Sequence, residues 1–122
     1  MPRLLFSAEN VHPSIREKSE QFNRSIVEEV QAAVERDDIV VVGMAQNPVC
    51  KKARKFLDEK KLTYTYLEYG SYFGEWKPRL ALKMWLGWPT FPMVFVRGQF
   101  IGGFSDMREL DKSGEFQELL SA

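Results

Sequence analysis

Four consecutive β-branched residues, Ile39-Val40-Val41-Val42, constrain this chain more than any other feature. A strand with no alternation is apolar on both sides, so it must lie inside a sheet that is covered on each face. The chain therefore needs layers of other elements around that strand. Asn47-Pro48 supplies the start of one. Asparagine is among the best N-cap residues, and proline suits a first turn whose N–H groups have no intrahelical partner. The helix that follows turns Val49, Ala53, Phe56 and Leu57 inward and Lys51, Lys52, Lys55, Asp58 and Glu59 outward, the latter a solvated face.

Further along, Tyr64 to Tyr69 alternates as a second strand, and Gly70 to Gly74 turn the chain into a helix from about Glu75 to Leu86. Met93 to Val96 and Phe100 to Gly102, joined by Arg97-Gly98-Gln99, form a hairpin. Ser105 or Asp106 caps a helix through about Leu110, and Ser113-Gly114 separates it from a short helix ending near Leu120. Upstream, residues 1 to 13 form an irregular arm. Ser14, with Glu17 three positions on, opens one helix to about Arg36, whose Phe22, Ile26, Val30, Ala33 and Val34 recur at helical spacing. The expected division is an arm and helix over 1–38 and one α/β domain over 39–122, with a mixed sheet and helices on both faces.

Composition excludes several functions. Lys plus Arg and Asp plus Glu number 17 each, so the net charge is zero, whereas a protein held to nucleic acid by its phosphates needs a cationic excess. No apolar run approaches the ~18–20 residues of a membrane span, and Met1 to Phe6 is too short for a signal-peptide core. Cys50 is the one cysteine, so no internal disulfide forms, and a cytoplasmic setting is expected.

Three segments together resemble glutaredoxins, over about Ile39 to Leu120. Val40 to Ala53 resembles the family's strand, active-site loop and helix. Trp88-Pro89-Thr90-Phe91-Pro92 resembles a segment of the monothiol members, and Val94 to Gly103 resembles the closing hairpin and double glycine. The resemblance implies a thioredoxin fold of glutaredoxin type with a four-stranded mixed sheet, here with an N-terminal helical extension. It also implies glutathione or a thiol peptide as ligand and thiol–disulfide exchange as chemistry. In the family, the first cysteine of Cys-Pro-Tyr-Cys or Cys-Gly-Phe-Ser is the nucleophile at the helix N-cap. Asn47 stands in that place, and Cys50 stands where dithiol members have the resolving cysteine.

The same resemblance implies that Thr90-Phe91-Pro92 is a Thr-X-cisPro turn whose backbone pairs with an extended thiol peptide. Arg79 stands where monothiol members bind the glycine carboxylate of glutathione, a task suited to its fork. Gly103, Phe104, Ser105 and Asp106 resemble the helix start that receives the γ-glutamyl group, with Ser105 in the usual place of the acid and Asp106 beside it. Met44 replaces a family lysine and removes one contact. Monothiol members bridge a two-iron cluster through the first cysteine, so with Asn47 no iron–sulfur cluster or other metal is expected.

Two readings of several residues stand side by side. Cys50 is a small buried core residue, its thiol raised by burial, or it is a working nucleophile. Arg79 clamps a carboxylate or is solvated on a helix face; Pro92 is expected cis; Trp85 and Trp88 are expected to pack; His12 has no role. The N-terminal helix packs on the sheet or presents a homodimer face. The leading function is a redox protein that binds glutathione or a cysteine-containing peptide, with any exchange running through Cys50. The alternative is a non-catalytic binding module that has lost its nucleophile at Asn47.

Overall fold

The computed structural model describes residues 6–70 and 76–121. A 3-10 turn, Ala8–Asn10, precedes α1 (Pro13–Gln21) and α2 (Arg24–Arg36). Then follow β1 (Ile39–Gly43), α3 (Pro48–Glu59), β2 (Thr65–Glu68), α4 (Trp76–Leu86), β3 (Met93–Val96), β4 (Gln99–Gly102), α5 (Phe104–Ser113) and α6 (Glu115–Ser121). The four strands form one sheet in the order β2-β1-β3-β4. β1 runs parallel to β2, with Val41 opposite Tyr66, and antiparallel to β3, with Val41 opposite Val94.

β1 explains the layers. All five of its residues are buried. Val40 and Val42 join Val30 and Ala33 of α2, Leu82 of α4 and Phe95 in one cluster. Ile39 and Val41 join Ala53 and Leu57 of α3, Met107 of α5 and Phe116 of α6 in the other. Successive side chains of a strand point to opposite faces, so an all-apolar strand feeds two cores at once. Each fully buried valine stabilises the fold by roughly 1.5–3 kcal/mol relative to exposure. Any polar residue placed in β1 would therefore damage one of the two cores.

The N-terminal segment departs from expectation. The helix expected from Ser14 to Arg36 is two helices, broken at Phe22-Asn23, where Asn23 takes a left-handed conformation at φ 46°. Asparagine tolerates that region better than other side chains do, so it can end one helix and open the next. Phe22 is consequently half-buried at the break. α1 begins at Pro13, not Ser14, and its cap is His12, whose Nδ1 accepts from the Ser14 N–H at 3.2 Å. The residue given no role thus has a structural one. α1 buries no side chain, whereas α2 packs on the sheet through Val30 and Ala33.

Smaller differences lie downstream. Val49, expected inside, is 39% exposed at the start of α3. α5 begins one or two residues before the expected caps, with Gly103 as N-cap and Asp106 at N3, and it runs past Leu110 to Ser113. Gly114, at φ 87°, then ends it. The turn expected at Gly70 to Gly74 and the helix start at Glu75 fall mostly outside the described residues. No described helix is long and apolar enough to cross a membrane.

Candidate functional site

The first turn of α3 is closed by its own sequence. Asn47 Oδ1 accepts from the Val49 N–H at 2.9 Å and the Cys50 N–H at 3.0 Å. Pro48 has no N–H, and the Lys51 N–H reaches the Asn47 carbonyl at 3.2 Å. The donors normally left over at a helix start are thereby removed or satisfied. The loop before it is tied down by Ala45 N–H to the Gly70 carbonyl at 2.7 Å and by Tyr69 N–H to the Gly43 carbonyl at 2.9 Å.

Cys50 points inward and is 1% exposed. Its sulfur lies 3.0 Å from where a Cβ on Gly43 would stand, and the Tyr66 hydroxyl lies 2.6 Å from the same point. Gly43 is therefore a glycine because these two groups fill the space a side chain would need. Burial pushes the Cys50 thiol above its ordinary range, and the Glu68 carboxylate adds to the rise. A hydrogen bond from the Met44 N–H opposes both. Burial also raises the Tyr66 phenol, with Cys50 and Glu68 as further causes. Tyr66 donates to Glu68 Oε1 at 3.3 Å, and the Arg54 guanidinium lies over its ring at 4.2 Å.

Across the sheet's end, the Phe91–Pro92 peptide bond is cis, as the sequence leads one to expect. Phe91 and Pro92 are buried, while Thr90 is exposed. Phe91 shares one buried cluster with Met44 and Cys50, so this loop and the α3 start meet over common side chains. A Cβ on Gly103 would stand 3.5 Å from the Pro92 carbonyl, which sets the start of α5 directly against the loop. At that start the Gly103 N–H donates to Asp106 Oδ2 at 2.9 Å. Gly103 has no side chain with which to take the N–H groups of Ser105 and Asp106, as Asn47 takes those of Val49 and Cys50, and Ser105 and Asp106 are exposed.

Arg79 is not the solvated arginine of one reading: it is 9% exposed, and its Nη1 donates to the Tyr69 carbonyl at 3.0 Å. The Tyr69 hydroxyl in turn donates to the Glu29 carboxylate of α2. Arg79 is thus built into the junction of β2, α4 and the N-terminal helices. Lys83, one turn further along α4, holds its ammonium 5.8 Å from the centre of the Phe91 ring. Trp88 packs edge-on against Phe100 at 5.4 Å, and Trp85 tilts against Phe95 at 6.3 Å while remaining 37% exposed. Lys51, Lys52 and Lys55 are exposed, as expected. Among the described residues no group of three or more His, Cys, Asp or Glu side chains is placed to hold a metal ion.

Sequence reasoning missed Gly43, Tyr66, Tyr69 and Glu29. A glycine closing an apolar strand is a signal for a close approach, but nothing local names the approaching group. Tyr66 reaches Cys50 only because β2 pairs with β1 in this register.

Comparison with known proteins gives the family of the chain. The glutaredoxin family model matches residues 39–101. A glutaredoxin-like protein of Dictyostelium discoideum is 43% identical over 99 residues, which cover 80% of each chain. The oxidised glutaredoxin 2 of Chlamydomonas reinhardtii superimposes with a TM-score of 0.69 at 27% identity, covering 80% of this chain and 92% of that one. A buckwheat glutaredoxin–glutathione complex gives a TM-score of 0.71 at 24% identity, covering 84% and 93%.

Proposed function

The chain belongs to the glutaredoxin family, and from that premise we propose that it binds glutathione or a cysteine-containing peptide without rapid thiol exchange. The binding groove is the space bounded by Thr90-Phe91-Pro92 and the start of α5. The observation that carries the proposal is the closed start of α3: Asn47 holds the N–H groups that would favour a thiolate, and Cys50 is 1% exposed.

The chemistry follows from what each wall offers. Exchange requires a thiolate to approach a disulfide sulfur, and a buried thiol raised above its ordinary range is protonated and out of reach. Recognition needs no sulfur. The backbone of Phe91 pairs with an extended peptide as an added strand would. The open N–H groups of Ser105 and Asp106, at the positive end of α5, suit a carboxylate, and Gly103 lets it approach closely. Arg79, the cation the family resemblance offers for the glycine carboxylate, is held by the Tyr69 carbonyl, so in this reading it serves the ligand only through the part of its fork that bond leaves over. The buckwheat relative of the same fold was solved with glutathione, which makes glutathione the first ligand to test. An iron–sulfur cluster draws no support from this site, since its iron prefers thiolates and the one thiol is buried.

Exchange through Cys50 keeps one argument of its own, the Met44 N–H directed at its sulfur. One pair of measurements separates the readings. Calorimetry with glutathione should show binding by the wild type and equally by Cys50→Ser. Iodoacetamide should label Cys50 slowly in the folded protein and fast in denaturant. Brisk exchange with a glutathionylated peptide, lost in Cys50→Ser, would make Cys50 the nucleophile and overturn the proposal.

A further inference from the structure

Away from the thiol groove, α2 and α4 lie side by side and leave a long depression between them. Two cavities make it up, one of about 360 Å³ and one of about 310 Å³, and both are lined by Gln31 and Trp85. Apolar side chains form the floor: Phe22, Val27 and Met84 in the first, Val34, Leu86 and Phe100 in the second. Met84 is 50% exposed and Trp85 37%, although both are large and apolar. A large exposed apolar surface of this kind, rimmed by polar groups, marks an interaction site.

The rim carries an acidic excess. Glu20, Glu28 and Glu35 line the depression, while α4 contributes only Ala81, Met84, Trp85 and Leu86. Among the described residues Arg24 is the single lining cation, and Glu28 already neutralises it at 2.8 Å. Glu28, Gln31 and Glu35 fall at i, i+3 and i+7 on α2, so the carboxylates run along one edge. With α2 at 13 residues, that edge is about 20 Å long, the length of three to four helical turns.

We propose that this face docks a basic amphipathic helix from a partner protein. The larger cavity is walled by helices alone, and only the smaller one reaches the β3–β4 hairpin, so ridges of an incoming helix fit between α2 and α4 along most of the depression. Apolar residues at i, i+3 and i+7 would fill the floor on either side of Trp85, and Lys or Arg would meet the carboxylates. The charge argues against the other occupants. Two copies joined through this face would set acid against acid, and an anionic membrane would be repelled. Two of the three helices that build it, α1 and α2, lie before residue 39, outside the stretch the family model matches. The proposal therefore does not depend on the thiol groove.

The probe is a fluorescein-labelled synthetic peptide of about fourteen residues, four turns, with Leu at one helical face and Lys or Arg elsewhere. Anisotropy titration of the full chain should show binding that weakens as salt rises. Trp85→Ala and Glu35→Lys should each weaken it about tenfold, with circular dichroism confirming the fold. Should Trp85→Ala fail to fold, Met84→Asp, at a half-exposed position, replaces it. Four results would overturn the proposal: no binding, equal binding of a scrambled peptide of the same composition, tighter binding of a Glu-for-Lys peptide, or variants that bind like the wild type. Sedimentation showing a dimer that Trp85→Ala dissolves would assign the face to a second copy and overturn it too.

Discussion

α3 and α5 begin in opposite ways. At α3 an asparagine side chain takes two N–H groups and a proline deletes another, so the helix end is satisfied from within. At α5 the N-cap is glycine, and the side-chain bond there is Asp106 reaching back to the Gly103 N–H. Both ends carry the same partial positive charge, so the difference lies in what remains to meet a ligand. The α3 end, where the family performs its chemistry, has nothing left over. The α5 end, where the proposed ligand would set a carboxylate, has no side chain of its N-cap residue in the way. Two helix starts in one fold can thus differ in what they offer a ligand, one satisfied by its own side chain and the other open.

The sharpest way to break this contrast is to open α3. Asn47→Cys puts a sulfur where free N–H groups favour the thiolate, three residues from Cys50. Exchange with a glutathionylated peptide should rise on the order of a hundredfold, since the new thiol is both exposed and more ionised. A folded variant that binds glutathione yet stays inert would show that the loop, and not the missing sulfur, blocks the chemistry. Next in size is Arg79→Ala, which strands the Tyr69 carbonyl and removes the buried cation. It should cost about 1–3 kcal/mol in stability by denaturant titration and weaken glutathione by a similar amount in calorimetry. Arg79→Lys should restore only part of either, because it lacks the planar fork.

Two cap deletions sharpen the comparison further. Asn47→Ala and Asp106→Ala should each lower stability by about 1 kcal/mol. Their effects on glutathione should differ: if the proposed groove is used, affinity holds in the first and falls in the second, because only the start of α5 borders that groove. The smallest effect concerns pH. Burial raises the Cys50 thiol, so the unfolded chain loses that proton at a lower pH than the folded one. Above about pH 8.5 the unfolded state binds fewer protons, and the free energy of unfolding falls as pH rises. Below that range the contribution is fully present. Denaturant titrations from neutral to alkaline pH should show a shallower decline in Cys50→Ala than in the wild type.

Legibility followed the range of the interactions. β1, the Asn47 cap and the hairpin could be read from the chain because four apolar residues, one Asx-Pro pair and one Arg-Gly turn determine them locally. The Phe91–Pro92 turn was legible through resemblance. The break at Asn23 was not, since Phe22, Ile26, Val30, Ala33 and Val34 keep the same helical phase that a continuous helix would have. Val49 was misplaced because the first turn of a helix has not yet settled against the core. Arg79 could not be placed at all from spacing: whether a helical arginine is solvated or buried depends on a carbonyl ten residues away.

Gly43 carries a consequence for how such a chain can change. A methyl group there would collide with the Tyr66 hydroxyl and crowd the Cys50 sulfur. Replacements at 43, 50 and 66 therefore do not commute. Alanine at 43 costs less once position 66 has lost its hydroxyl, and more if it comes first, when the Tyr66 ring has to shift to admit it. A mutational path that rebuilds this corner has a favoured order, in which position 66 gives way before a side chain is added at 43.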